Sequence, residues 1–488
     1  MEWKGTNPPQ MPWGVQLGDI SPRSVTIWSA TDRPATMLVD IADNPGFRQA
    51  QTFEGAVALA AQDFTARLAL ERLPPAELLH YRVRFRDLEN PQLISEPTTG
   101  VFRPLPARPQ RLRFCFSGDT AGQGWGINPE FGGMRIYQAM LQRQPDFFIH
   151  LGDTIYADMP LPLTVPLDDG RIWTNLVTEA KTKVAETLQE FRGNYQYNLL
   201  DQHLRRFHAT VPILAQWDDH EVLDNWYPQE ILDDARYTEK SVARLASRSR
   251  QAFFEYNPIH PEAMARQQIY RSFAFGDLLE IFMLDLRSYR GPNSPNRQTL
   301  RSPATEVMGS AQRDWLKTSL ACSKAMWKII SSDMPLGLLV RDGSTDFETI
   351  ANGDGPPLGR ELEIADLLAF ILQNDIRNVV WITADVHYAA AHYYNPQKAQ
   401  FKNFKPFWEF VSGPLHAGTF GPNALDNTFG PELRWKGIPD GMKPNRSPAE
   451  GLQFFGEMEA SMETLQIRQF DLHGNAVFAM ELPAESWL

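Results

Sequence analysis

The alternation of apolar and polar residues along this chain changes character near residue 103. From 13 to 102, short runs alternate residue by residue, as in Ser24-Val25-Thr26-Ile27-Trp28, Met37-Leu38-Val39-Asp40-Ile41, Phe64-Thr65-Ala66-Arg67-Leu68 and Tyr81-Arg82-Val83-Arg84-Phe85. A period of two puts one face of each run into a core, and the turn residues between runs predict a small all-β sandwich. Residues 103–109 carry three prolines and predict a stiff linker, hence one domain at 1–108 and a second at 109–488.

Beyond the linker, continuous apolar runs alternate with longer helical patterns. Phe147-Phe148-Ile149-His150-Leu151 is greasy on both faces, which predicts a buried strand. Arg113-Phe114-Cys115-Phe116 reads the same way, and helical periodicity over 134–143 lies between the two, so the segment forms a β-α-β unit. Further helical patterns cover 174–206 and 238–256. Further strands are predicted at 211–217, 279–286, 327–332, Val379–Thr383 and 408–412, and a closing hairpin pairs Thr464–Asp471 with 477–482. The fold class is α/β.

The candidate chemistry sits where these strands end. The strand at 147–151 runs into Gly152-Asp153-Thr154-Ile155-Tyr156, and the strand before it ends in Ser117-Gly118-Asp119. Open α/β sheets place their sites at the carboxyl ends of their strands. Asp153 and Tyr156 stand three residues apart, close enough to face one point, and an Asp with a Tyr suits a hard cation such as ferric iron. The strand at 211–217 leads into Asp218-Asp219-His220-Glu221-Val222-Leu223-Asp224-Asn225, and the strand Val379–Thr383 into Ala384-Asp385-Val386-His387. His416 follows another strand in a glycine-flanked loop, which leaves both substrate contact and a structural role open. Glu221 is read as the cap of a following helix. Gly122, Gly124, Gly126, Gly132 and Gly133 predict a loop over the site, with no Gly-Lys-Ser/Thr to make it a nucleotide P-loop.

Composition narrows the function classes. The 488 residues carry a net charge of −12, with 43% hydrophobic and 22% charged residues. That is ordinary globular composition, and the charge argues against binding to nucleic-acid backbones. An acidic protein that handles phosphate esters needs local cations, so the balance favours bound metals. The two cysteines, Cys115 and Cys322, lack zinc spacing and allow at most one disulfide. No apolar run reaches membrane-spanning length. Residues 1–12 have neither a basic nor an apolar signal region, which predicts a cytoplasmic chain, or a periplasmic or secreted one whose signal has been removed.

Ser-Gly-Asp, Gly-Asp-X-X-Tyr, Trp-Asp-Asp-His-Glu-Val and Asp-Val-His-Tyr, in this order, resemble the alkaline phosphatase D (PhoD-like) family of metallophosphoesterases. Gly18-Asp19-Ile20-Ser21-Pro22-Arg23-Ser24-Val25-Thr26-Ile27-Trp28 is similar to the start of that family's N-terminal β-domain, and Asp285-Leu286-Arg287-Ser288-Tyr289-Arg290 resembles a further family segment. The resemblance implies a four-layer αββα catalytic domain that binds ferric iron and calcium and hydrolyses phosphate monoesters and diesters. It implies metal ligation by Asp153, as a bridge, by Tyr156, by Asp219 or Asn225, and by Asp385 and His387. It implies for Arg287 a supporting contact to substrate or to carboxylates behind the ligands. The family usually carries Ser-Cys at the first motif, with the Cys on iron. Here Gly118 stands at the Cys position and Asp119 is the nearest possible ligand, which leaves zinc or manganese open in place of either metal.

The expected mechanism is in-line attack by a metal-bound hydroxide on phosphorus, with His220 as general acid or as a charge-stabilising group. The expected substrate is a small-molecule phosphate ester. Two alternatives stay open: the same site acting on a phosphotriester or sulfate ester, and a non-catalytic binding protein with a vestigial site.

Overall fold

Two mixed β-sheets form the centre of the fold. The structure, a computed structural model, describes residues 7–73 and 77–485, so half of the stretch read for an export signal lies outside it. The first sheet has nine strands, in the spatial order Ala476–Pro483, Thr464–Asp471, Phe454–Ala460, Leu112–Ser117, Phe147–His150, Ile213–Ala215, Val15–Gly18, Ser24–Ala30 and Thr65–Glu71. The second has seven: Arg271–Phe275, Leu279–Met283, Trp327–Ser331, Val379–Thr383, Phe407–Val411, Ala390–Tyr394 and Pro431–Lys436.

The doubly apolar strands follow from this layering. Successive side chains of a strand face opposite ways. Phe147 and Ile149 point between the sheets, where they meet Ile281, Ile329, Val380 and Phe410 in one core. Phe148 points outward into a second core with Tyr137, Phe207 and Phe253. That outer core lies under helices Ile136–Gln142, Leu188–Asn198, Gln202–His208 and Val242–Tyr256. On the far side, helices Gly309–Cys322 and Glu361–Gln373 pack Leu316, Leu320 and Leu367 against Phe282, Ile330 and Trp381. The result is a four-layer αββα sandwich.

Strands Leu112–Ser117, Phe147–His150, Ile213–Ala215 and Val15–Gly18 run parallel. So do Leu279–Met283, Trp327–Ser331, Val379–Thr383 and Phe407–Val411. Their carboxyl ends therefore deliver loops from both sheets to one edge.

Two features depart from the sequence pattern. The N-terminal strands split: Ala35–Ala42, Gln51–Ala58, Leu79–Asp87 and Thr98–Phe102 form a separate four-stranded sheet. Val15–Gly18, Ser24–Ala30 and Thr65–Glu71 instead continue the first central sheet, through the parallel pairing of Gly18 with Ile213. The stretch 174–206 is not one helix. Its helices are Leu188–Asn198, opened by a capping box of Thr187 and Glu190, and Gln202–His208, opened by the Asp201 carboxylate on the amides of His203 and Leu204. These N-caps satisfy amides that a continuous helix would have bonded internally. Among the described residues no helix is long and apolar enough to cross a membrane.

Candidate metal centre

The strand-end loops turn abruptly, and the candidate ligands sit at the turns. Asp119, Asp153, Asn225, Asp385 and His387 have φ of +69°, +54°, +59°, +67° and +60°. Such left-handed backbone costs on the order of 1–3 kcal/mol at a non-glycine residue and persists where the surroundings enforce it. Gly152 has φ +120°, and a Cβ there would lie 2.4 Å from the Asp218 Cβ, so only glycine lets these two loops approach.

Glu221 supplies part of the enforcement. Its carboxylate accepts from the amides of Asp153 at 3.1 Å, Thr154 at 2.6 Å and Asp218 at 2.8 Å. The expected helix cap is therefore corrected. The residues after Glu221 form turns, and the side chain ties two ligand loops together instead. The Asp119 amide also donates to the Gly152 carbonyl at 3.2 Å, and that of Thr120 to the Asp153 carbonyl at 2.8 Å.

This framework assembles two donor groups. Asp119, Asp153 and His387 bring one ligand atom each within 4.8 Å of one another, and so do Asp218, Asp219 and Asp385; Asp153 also groups with Asp219 and His220. Both oxygens of Asp119 are buried without a hydrogen-bond partner. Burial pushes the carboxyls of Asp119 and Asp153 well above the usual range. A buried carboxylate without a partner is costly, and a cation in the position it faces removes that cost. His387 Nδ1 meets the Gly418 carbonyl at 2.6 Å, so Nδ1 carries the proton and Nε2 keeps its lone pair. Nε2 faces the Tyr156 hydroxyl at 2.9 Å. Burial lowers the His387 pKa to about 4, which keeps the ring neutral. Tyr156 itself is pinned by the glycine loop, since a Cβ at Gly122 would lie 2.4 Å from its ring. The donor set therefore fits a hard metal ion.

His220 stands beside these groups. Its ring stacks on that of Tyr156 at 4.4 Å, and its Nδ1 meets Asp158 Oδ1 at 2.8 Å. Burial would lower its pKa, but the carboxylates of Asp158, Asp219 and Asp153 outweigh burial and raise it well above the ordinary value. Burial would raise Asp219, but His220 and Arg287 hold it down at about 2.

Arg287 is fully buried. Its guanidinium meets Asp218 at 2.5 Å, Glu348 at 2.6 Å, Asp385 at 3.1 Å, Asp333 at 3.3 Å and Asp219 at 3.7 Å. It lies behind the carboxylates, away from solvent.

The groups open into a cleft of about 400 Å³ whose lining includes Asp153, Asp219, His220, Asn225, Asp385 and His387. His416 does not reach it. Its Nε2 faces the Gly126 carbonyl at 3.0 Å and its ring packs 5.9 Å from Trp173, fully buried. Of the two roles left open for His416 the geometry fits the structural one, and its assignment to substrate is corrected: the strand end carrying His416 pairs with Thr120 and turns the ring beneath the glycine loop.

The PhoD-like phosphatase family matches residues 114–469, and its N-terminal domain matches 3–106. The chain belongs to the PhoD-like phosphatase family. It is a metal-dependent phosphoester hydrolase. Alkaline phosphatase D of Bacillus subtilis is 25% identical over 441 residues, which covers 85% of this chain and 71% of that protein. A structure of PhoD superposes with a TM-score of 0.71 at 19% identity, covering 98% of this chain and 90% of the other. A purple acid phosphatase from yellow lupin superposes at 0.61 with 13% identity, covering 98% and 74%. These two share the fold.

Sequence reasoning missed Asp158, Asp218, Asp333 and Glu348. Asp333 had a signal, since it follows the strand Trp327–Ser331 just as Asp119 follows its own. Glu348 had none: it reaches Arg287 from a distant hairpin.

Proposed function

We propose that this PhoD-like protein hydrolyses phosphate monoesters and diesters, with ferric iron held by Asp119, Asp153, Tyr156 and His387. Calcium would be held by Asp219, Asn225 and Asp385, with Asp153 placed to serve both ions. The observation that carries this reading is Asp119: a buried carboxylate with two free oxygens, beside Asp153 and the unprotonated nitrogen of His387. A tyrosine in the same cluster favours iron over zinc or manganese. The ions supply positive charge against the phosphoryl oxygens and lower the pKa of water.

The chain's own residues do the rest. His220, held as an imidazolium by Asp158, gives its proton to the departing ester oxygen. Arg287 positions Asp218, Asp219 and Asp385 without touching substrate. Glu221 keeps the Asp153 and Asp218 loops in register. The cleft suits a small-molecule ester, and the net charge of −12 disfavours nucleic-acid backbones. The same reading divides the chain into a β-domain at 1–108 and a catalytic domain at 109–488, supported by the coil between Phe102 and Leu112, although Val15–Gly18, Ser24–Ala30 and Thr65–Glu71 of the first segment extend the sheet of the second.

The test is elemental analysis of protein purified without added metals, together with turnover of aryl phosphate mono-, di- and triesters and an aryl sulfate. Iron and calcium with mono- and diester turnover support the proposal. Activity confined to the triester or sulfate overturns it.

A further inference from the structure

We propose that Arg341 selects substrates whose leaving group carries an anionic group of its own, an inference that rests on the phosphoester reading above. The cleft wall includes five carboxylates, those of Asp153, Asp219, Asp224, Glu348 and Asp385. Against them the residues that line the cleft include one arginine or lysine, Arg341. The guanidinium is exposed and forms no ion pair among the described residues. It lies over the Phe347 ring at 4.9 Å, which orients it, and bonds only the Ser344 carbonyl at 3.4 Å. An arginine stacked on an aromatic ring keeps its donors free in a preset plane, suited to a carboxylate or phosphate.

The hairpin that carries Arg341 is built to hold still. Strands Arg341–Asp342 and Asp346–Phe347 form it. The buried guanidinium of Arg360 collects the carbonyls of Phe347 at 2.9 Å, Glu348 at 3.0 Å and Thr349 at 3.1 Å. Arg290 donates to the Glu348 carbonyl as well. On the other strand, Asn293 donates to the Asp342 carboxylate at 2.8 Å and to the Asn225 carbonyl at 2.7 Å. The arginine is thus anchored to the same loop that brings Asn225 to the cleft.

Its place on the hairpin argues for the leaving group over the reacting phosphoryl group. The latter belongs with the donor groups around Asp153, and no carboxylate of those groups pairs with Arg341. The cleft wall also includes Val340, Val386 and Phe420, an apolar surface for the organic part of a leaving group.

The experiment compares phenyl phosphate with 4-carboxyphenyl phosphate in the metal-loaded wild type, Arg341→Met and Arg341→Lys. Met keeps the length and loses the charge; Lys keeps the charge. The preference for the carboxylated ester, expressed as the ratio of kcat/KM values, should fall about 10- to 100-fold in Arg341→Met, as expected for losing a charge-assisted hydrogen bond, and recover in part in Arg341→Lys. Comparing this ratio between wild type and variant cancels the difference in leaving-group pKa. An unchanged ratio overturns the proposal, whether both rates fall together or neither does. Wild-type protein that turns over neither these monoesters nor an aryl phosphate diester overturns the phosphoester reading and this inference with it.

Discussion

The Tyr156 hydroxyl stands 2.9 Å from Nε2 of His387, both buried, with the far side of the histidine fixed on the Gly418 carbonyl. Two donor atoms this close, one of them a phenol oxygen, could both reach one metal ion, as the proposed iron site requires. A phenolate on ferric iron gives a charge-transfer band in the visible, which zinc with its filled d shell does not. Concentrated protein as purified is therefore expected to be coloured, and Tyr156→Phe to bleach it. Asp119→Ala should weaken iron retention. Fully active, colourless protein containing only zinc or manganese sinks the iron assignment.

Asp153 belongs to the donor group with Asp119 and to the one with Asp219. A carboxylate shared by two ions cannot be lost from one alone. Asp153→Asn is expected to remove activity and both metals together, read by elemental analysis beside a rate assay. Full metal stoichiometry in this variant removes the bridging role.

His220 has its pKa raised by the surrounding carboxylates, stacks on Tyr156 and is oriented by Asp158. Its loss in His220→Ala should cost about 10²- to 10⁴-fold in turnover while the metals stay bound. The cost should shrink for esters with acidic leaving groups, which depart without a proton. Equal losses on good and poor leaving groups count against proton donation.

Much of this was readable in the chain, for a physical reason. A strand buried on both faces is largely apolar, so Phe147-Phe148-Ile149 declares itself, and Gly152-Asp153 marks the sharp turn just beyond it. The residues that read poorly act through partners distant in sequence. Arg287 draws carboxylates from four separate loops, and neither Asp333 nor Glu348 is near it in the chain. Val15–Gly18 joins the catalytic sheet through a single pairing with Ile213, which no local pattern specifies. His416 misleads because a glycine-flanked histidine looks the same in sequence whether it faces a cleft or a carbonyl.

His150 and His208 lie behind the metal loops, both buried, and burial lowers each to about 3. His208 Nδ1 donates to Gln16 Oε1 at 3.1 Å, and His150 Nε2 meets Thr120 Oγ1 at 3.0 Å. Neither ring has a carboxylate to favour a second proton. In the unfolded chain both titrate near 6.5, so between about 6.5 and 3 the unfolded state binds protons that the native state refuses. Their contribution to stability is complete above pH 6.5 and is lost as pH falls through that window. A shift of this size is worth on the order of 5 kcal/mol per histidine as an upper bound, comparable with the whole stability of a domain. Metal-loaded protein should therefore unfold well before pH 3. The buried carboxylates pull the other way in metal-free protein, so the measurement needs the metals in place. Denaturant unfolding at several pH values from 6.5 down to 4.5 checks it, with wild type beside His208→Gln. The variant should be less steeply destabilised by acid, by up to about 1.4 kcal/mol per pH unit, the value of one proton. Identical slopes for the two proteins would show that His208 takes no part in the acid response.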